Sequence, residues 1–195
     1  MFKGESLLKK RLLLVTGAPG TGKTTVLSKV IEALKAKGYS VGGMVSREAR
    51  TCGTRFGFEI LDLSNGRIGW LAHINQKQGP RVGRYRVNLQ DLNGIGVDAI
   101  IKAVEDFDVI AIDEIGPMEL YSKSFKMAIR KAVESGKLVI STVHWKARDK
   151  LILEVKARED AEIYRVTYEN RWNLHEKIFE RAKEFLVKAL KNKLL

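Results

Sequence analysis

Short apolar runs alternate along the chain with longer stretches in which apolar residues recur every three or four positions. The first pair is the apolar run at 12–15 and the stretch at 23–37, whose spacing puts its apolar residues on one helix face. Further strands are predicted at 39–46, 108–112, 138–143 and 162–166, and further helices at 94–105, 123–135, 146–157 and 174–192. Strands that alternate with helices predict a three-layer α/β/α fold around a mainly parallel sheet.

The stretch at 47–89 breaks this alternation. Its predicted strands lie at 56–63, 67–71 and 85–89, and the first two are joined by the turn Ser64-Asn65-Gly66. We therefore predict a small antiparallel β insertion at 47–89. The chain of 195 residues is expected to form a single domain, 1–195, in which residues 1–10 are a polar lead-in.

Glycines in a fixed spacing mark the junction between the first apolar run and the first helix. The junction reads Gly17, Ala18, Pro19, Gly20, Thr21, Gly22, Lys23, Thr24 and Thr25, which matches the pattern G-x-x-x-x-G-K-T. Glycines here let successive backbone N–H groups turn inward around an anion at the N-terminus of the following helix. In such a P-loop, or Walker A motif, Lys23 reaches the β- and γ-phosphates and the Thr24 hydroxyl holds Mg²⁺. The spacing differs from that of a dinucleotide-binding turn.

A second candidate group ends the apolar strand at 108–112. The residues Val109, Ile110, Ala111 and Ile112 lead to two adjacent acids, Asp113 and Glu114. Ligands bind at the carboxyl edge of parallel sheets, where Asp113 suits a Walker B acid that supports Mg²⁺ and Glu114 suits a group that polarises the attacking water. Such a pair is also typical of a helix N-cap, but the P-loop at least one β–α unit earlier favours catalysis. Glu119 is equally compatible with the site and with capping the next helix.

Arginines form the third group of candidates. Arg47, Arg50 and Arg55 lie around a glycine turn, whereas Arg81 and Arg84 flank Gly83. A guanidinium matches phosphate oxygens, and Arg81 is the candidate for neutralising charge that develops on the γ-phosphate. Most surface arginines have no such role, so a solvated position is the simpler interpretation for any single one. Arg171 follows a predicted strand end and is a candidate for packing near the base.

The composition of the chain indicates its cellular compartment and its possible partners. A single cysteine, Cys52, excludes an internal disulfide, and no apolar run approaches the ~20 residues that span a bilayer. We therefore predict a cytoplasmic monomer without a membrane contact. The formal net charge of +12 leaves a nucleic-acid partner open, but lysines interspersed with glutamates favour solvated helix faces. The three histidines and Cys52 lack the spacing of a metal site.

Four motifs together resemble the thermophilic-type nucleoside-triphosphatase family, relatives of the animal cancer-related nucleoside-triphosphatase. They are the P-loop, Arg-Val-Gly-Arg-Tyr-Arg-Val at 81–87, Asp-Glu-Ile-Gly-Pro-Met-Glu at 113–119, and Asn170-Arg171. The resemblance covers about residues 11–186 and implies a RecA-like core with slow, Mg²⁺-dependent hydrolysis of ATP, GTP, CTP and UTP and weak base selectivity. It also implies that Val109, Ile110, Ala111, Ile112, Asp113, Glu114, Ile115 and Gly116 line the nucleotide site.

These observations favour a nucleoside-triphosphate phosphohydrolase. In this hypothesis Lys23 and Thr24 hold phosphate and metal, while Asp113 supports the metal and Glu114 orients water. Two alternatives stay open at this point. A nucleoside or nucleotide kinase uses a similar P-loop, although Glu114 beside Asp113 favours recruiting water over excluding it. A nucleic-acid-stimulated ATPase would use the positive charge and would bind polyanions in a salt-dependent way.

Overall fold

The computed structural model describes residues 10–193, with side chains up to residue 189. The strands are β1 (Leu12–Thr16), β2 (Val41–Thr51), β3 (Thr54–Asp62), β4 (Ile68–His73), β5 (Arg81–Val82), β6 (Tyr85–Val87), β7 (Val109–Ile115), β8 (Leu138–Val143) and β9 (Ala161–Arg165). The longer helices are α1 (Lys23–Ala36), α2 (Asp98–Asp106), α3 (Lys123–Glu134), α4 (Lys150–Ala157) and α5 (Leu174–Lys193). Apart from residue 10, the predicted lead-in at 1–10 lies outside the described residues. Within the described range, every helix is too short or too polar to cross a lipid bilayer.

The described strands form one sheet with a parallel half and an antiparallel half. Its order is β5-β6-β4-β3-β2-β7-β8-β1-β9. From β2 to β9 all neighbours in this order pair in parallel, and β8 lies between β1 and β7. The carboxyl ends of these strands therefore meet at one edge of the sheet, and the predicted α/β/α fold is confirmed.

Helices cover both faces of the parallel half. On one face, Leu13 and Val15 of β1 pack in an apolar cluster with α1 and α5. Leu12 and Leu14 point the other way and pack in a cluster with α2, α3 and α4. Because successive side chains of a strand alternate between faces, covering both faces requires the uninterrupted apolar run seen in β1. Burial of each large apolar side chain contributes about 1.5–3 kcal/mol to the stability of the fold. The packed strands therefore hold their carboxyl ends, which carry the polar motifs, in fixed positions.

The long strand β2 joins the two halves. Its first residues, Val41 to Val45, pair in parallel with β7, and from Met44 onward it pairs antiparallel with β3. β3, β4, β6 and β5 then continue the sheet in antiparallel pairs. Together with the second part of β2, residues 46–51, these strands and their turns form what we call the antiparallel arm. The predicted antiparallel insertion is confirmed as an extension of the same sheet. The strand predicted at 39–46 is longer than expected because its second part hydrogen-bonds to β3.

Two predicted helix starts differ from the observed ones, and a capping side chain explains each difference. The helix expected at 94–105 begins as a single turn at Leu89–Asp91, continues as a π-helical stretch at Leu92–Val97 and ends as α2. Asn88 starts it, since its Oδ1 accepts hydrogen bonds from the backbone N–H groups of Gln90 and Asp91. The helix expected at 146–157 begins only at Lys150, because Asp149 caps it by accepting from the Leu151 N–H at 2.9 Å.

Candidate active site

The P-loop follows β1 at the carboxyl edge of the sheet. A Cβ placed on Gly17 would lie 2.7 Å from the Val166 carbonyl oxygen, so only glycine allows this close passage beside β9. The Thr21 hydroxyl donates to the Ala18 carbonyl at 2.8 Å and closes the loop. Gly22, with φ of 100°, then takes a left-handed conformation and begins α1. In this conformation the backbone passes from the loop directly into α1.

The N-terminus of α1 is shaped to receive an anion. Gly22 offers no capping side chain, and the first turn of α1 contains no acidic residue. The N–H groups of this turn have no helical partner, and the helix dipole places partial positive charge there. Lys23 adds a full positive charge at the same point. Thr24 and Thr25 are exposed in this turn, as are Pro19 and Gly20 in the loop before it, and Ala18 is half-buried. This arrangement fits a phosphate group.

Asp113 lies in β7, which is separated by β8 from β1, the strand before the P-loop. The residue is 2 % exposed. Its Oδ1 accepts a hydrogen bond from the Thr142 hydroxyl of the intervening strand β8. Burial raises the pKa of Asp113, although Thr142, Thr24 and the charge of Lys23 each act to lower it. Its Oδ2 is buried and has no hydrogen-bond partner among the described residues. The two sequence motifs therefore meet at one point.

A Mg²⁺ ion fits this point. Oxygen ligands suit Mg²⁺, which binds proteins through one or two side chains and completes its shell with water and phosphate oxygens. Asp113 has a free, desolvated oxygen near the Thr24 hydroxyl, and a cation there would offset the free-energy cost of the buried carboxylate. Among the described residues, no group of three or more His, Cys, Asp or Glu side chains could hold a metal by itself. The site fits an ion that arrives with a phosphate.

Two glutamates extend the acidic end of the site. Burial raises the pKa of Glu114 to about 7, and its Oε1 is buried without a partner among the described residues. Lys23 and Lys156 lower that pKa, whereas Asp113 raises it. Burial, together with the charges of Glu114 and Asp113, raises the pKa of Glu119 to about 8. Glu119 therefore lies beside the site, while α3 is capped by Ser122, whose Oγ accepts from the Phe125 N–H at 2.9 Å.

Three polar residues at this edge were not among the sequence candidates. Thr142 holds Asp113, and its position at the end of a buried strand was a detectable pattern. His144 follows the same strand, and burial together with the charges of Lys23 and Lys156 lowers its pKa. Lys156 comes from α4 and donates to the His144 carbonyl at 3.2 Å, within electrostatic range of Glu114. Lys156 has no local sequence pattern, because α4 reaches the edge only in the folded protein.

The remaining candidates divide into those near the P-loop and those in the antiparallel arm. Arg171 lies beside the P-loop, since a Cβ placed on Gly22 would be 3.8 Å from its Cδ. Arg81 is exposed in β5, donates to the Gly83 carbonyl at 3.0 Å, and lines a shallow depression with Pro117 and Tyr121. The candidates that pair within the arm are Arg47, Arg50, Arg55 and Arg84.

The apolar part of the predicted nucleotide-lining segment lies inside the sheet. Val109, Ile110, Ala111 and Ile112 are fully buried in β7. Their side chains pack in the two apolar clusters. They therefore hold in place the two acids that follow them in β7. Ile115 and Gly116 are buried next to Glu114. A Cβ placed on Gly116 would lie 3.1 Å from a Glu119 carboxylate oxygen, so both glutamates pack around this glycine.

Comparisons with known proteins agree on one family. A sequence family described as NTPase matches residues 12–179. The nucleoside-triphosphatase THEP1 of Thermofilum pendens is 48% identical over 162 residues, which cover 81% of this chain and 87% of the relative. The THEP1 of Methanosarcina acetivorans is 44% identical over 170 residues, covering 87% and 95%.

Two solved structures resemble the fold. The crystal structure of THEP1 from Aquifex aeolicus superposes with a TM-score of 0.77 at 30% identity, covering 87% of this chain and 97% of that one. The solution structure of a human cancer-related nucleoside triphosphatase gives a TM-score of 0.73 at 33% identity, covering 87% and 96%. The similarity therefore extends over the parallel half, the arm and the candidate site alike.

Proposed function

Because the chain belongs to this NTPase family and is a nucleoside-triphosphatase, we propose that it cleaves the γ-phosphate from Mg²⁺-bound ATP, GTP, CTP and UTP, giving the diphosphate and phosphate. The observation that carries the proposal is the convergence of Lys23 and Thr24 with Asp113 and Glu114 at one sheet edge. We include in the proposal that the enzyme acts as a cytoplasmic monomer and needs no nucleic acid.

The P-loop would bind and orient the triphosphate. Its backbone N–H groups and Lys23 surround the β- and γ-phosphates, and preorganised donors of this kind need no rearrangement during the reaction. The hydroxyl of Thr24 and the carboxylate of Asp113 would hold Mg²⁺, which neutralises phosphate charge when bound. Thr142 keeps the Asp113 carboxylate in place through its hydrogen bond.

Glu114 would orient the attacking water. Its carboxylate has a buried oxygen without a partner among the described residues, and it lies within electrostatic range of Lys23. A water that donates to this oxygen would be positioned next to the phosphate held by Lys23. Lys156, which also acts on Glu114, is a second positive charge at this end of the site. Arg81 keeps its predicted role on the γ-phosphate only if the arm approaches the site.

A phosphate-release assay with Glu114→Gln tests the proposal. The amide keeps the shape of the side chain but lacks the negative charge and the basicity of the carboxylate, so we expect kcat to fall by about 10²-fold or more while KM for ATP changes little. Glu134→Gln, at an exposed carboxylate of α3, is the matched control and should leave kcat unchanged. Wild-type turnover in Glu114→Gln would contradict the role of Glu114.

The same assay tests substrate and metal. Wild-type enzyme should release phosphate from all four nucleoside triphosphates, and excess chelator should abolish the release until Mg²⁺ is restored. Phosphate release that depends strongly on an added nucleoside acceptor would favour a kinase instead. Release that requires added single-stranded or duplex nucleic acid would contradict the proposed independence from it.

A further inference from the structure

The loop that follows β9 lies against the P-loop. β9 pairs in parallel with β1 along its whole length, so both strands deliver their next residues to the same edge. The Val166 N–H donates to the Thr16 carbonyl at 2.7 Å and extends this pairing into the loop. A ligand held by the P-loop therefore has the residues after β9 as its neighbours, on the side away from Asp113.

Hydrogen bonds hold this loop in one conformation. Asn170 accepts from the Thr167 N–H at 2.9 Å and donates to the Arg165 carbonyl at 2.9 Å. The Arg171 N–H donates to the Thr167 carbonyl at 3.2 Å. Because the backbone on both sides of Asn170 is tied down, the side chains that project from it are positioned before any ligand binds.

Three of those side chains form a stacked group that we call the aromatic platform: Tyr168, Arg171 and Trp172. The Arg171 guanidinium lies 5.4 Å from the centroid of the Tyr168 ring and 4.5 Å from that of Trp172. Both rings are nonetheless exposed, by 62% and 66%. The Nε of Arg171 is buried without a partner among the described residues. Two exposed aromatic rings beside a guanidinium whose Nε has no hydrogen-bond partner among the described residues indicate a contact surface for a flat, polar-edged molecule.

We propose that the aromatic platform stacks the nucleobase of the bound nucleotide. This inference rests on the proposed function, and it follows from the position of Arg171 against Gly22 of the P-loop. Stacking on aromatic rings and on a guanidinium accepts every base, because each base has a π-face. The platform therefore accounts for binding of all four nucleoside triphosphates without a hydrogen-bonded base pocket. The ring of Trp172 is the largest surface in it.

Steady-state kinetics of Trp172→Ala test the platform. Losing one base–aromatic stack should raise KM for ATP and GTP by about five- to 100-fold, with kcat little changed because the base is remote from the reacting phosphate. The rise should be smaller for CTP and UTP, whose single rings overlap less with the indole. Trp172→Phe should restore most of the affinity. Trp145→Ala removes another exposed tryptophan with a cation over its ring and should leave KM unchanged.

A merely structural role of Trp172 would give a different pattern. It would raise KM equally for all four substrates, or lower kcat with KM unchanged, and either result would overturn the proposal. So would wild-type KM values in Trp172→Ala. A platform for single-stranded nucleic acid would instead leave KM for nucleotides unchanged and weaken the binding of an oligonucleotide, which would also overturn it.

Fluorescence separates this inference from the hydrolysis itself. With Trp70→Phe and Trp145→Phe, the emission comes from Trp172 alone, because the chain has three tryptophans. ADP should quench this emission more than inorganic pyrophosphate does, and a quench equal for both would contradict base stacking. Because this titration needs no turnover, it tests the platform even if the wild-type enzyme hydrolyses none of the nucleotides, an outcome that would refute only the proposed function.

Discussion

The parallel half of the sheet and the antiparallel arm treat charge in opposite ways. At the carboxyl edge of the parallel half, Asp113 and Glu114 each keep a buried oxygen without a partner among the described residues, and burial raises their pKa values. In the arm, three arginines form ion pairs at the protein surface. Arg47 bonds to Glu59 at 2.6 Å, and Arg50 and Arg55 share Glu48.

The difference shows that burial of charged groups lowers the stability of the parallel half and not that of the arm. A desolvated carboxylate without compensation is strongly unfavourable, whereas an exposed ion pair contributes only about 0–1 kcal/mol. The acidic part of the parallel edge is therefore organised for a metal cation that offsets this cost. Arg47, Arg50 and Arg55 already have carboxylate partners, so a high density of charge alone does not identify the site.

The largest effect is expected for Lys23→Ala. Removing one preorganised contact to the phosphates should lower kcat/KM by at least about 10²-fold, measured as phosphate release from ATP. Lys35→Ala, in the last turn of the same helix and exposed, is the matched control and should keep wild-type activity. If purified Lys23→Ala retained near wild-type rates, the parallel edge would lose its assignment as the site.

An intermediate effect is expected for Glu119→Gln, measured as stability without metal or nucleotide. The pKa of Glu119 rises from 4.5 to about 8 on folding because of its burial, so between these values the folded state binds the extra proton. Wild-type stability should therefore fall as pH rises from 4.5 to 8, by about 2 kcal/mol or more relative to Glu119→Gln. Denaturant unfolding at both pH values measures this difference.

The exposed carboxylate of Glu134 provides the comparison for that experiment. Glu134→Gln should follow the wild-type pH dependence, because this side chain lies on the surface of α3. If Glu119→Gln and wild type lost stability in parallel over the same range, the buried carboxylate of Glu119 would carry no electrostatic cost. The contrast with the arm would then be wrong.

The smallest effect is expected for Arg81→Ala. Because Arg81 is exposed and bonded to Gly83 within the arm, kcat for ATP should change by less than about threefold. The matched control is Arg67→Ala, an exposed arginine beside the β3–β4 turn of the same arm. A loss near 10³-fold, which an arginine acting on the γ-phosphate in cis produces, would mean that the arm closes over the site.

Sequence patterns predicted most of the fold and both halves of the candidate site. Apolar runs bounded by glycine and by paired acids identify β1 and β7, because a strand covered on both faces must be apolar throughout. The P-loop spacing predicts a phosphate site because backbone conformation and glycine positions are local properties. The helix starts at Asn88 and Asp149 were missed, because the spacing of apolar residues carries no information about a capping side chain.

The sequence by itself determined the buried strands β1, β7 and β8, the phosphate loop and the two acids, since each depends on neighbours along the chain. Only the tertiary structure decided which distant groups join them. It placed β8 between the two motifs, so that Thr142 reaches Asp113, and it brought Lys156 to Glu114. It also separated Arg171, beside the P-loop, from the paired arginines of the arm. These outcomes depend on strand order and burial, which are set by packing between residues far apart in the chain.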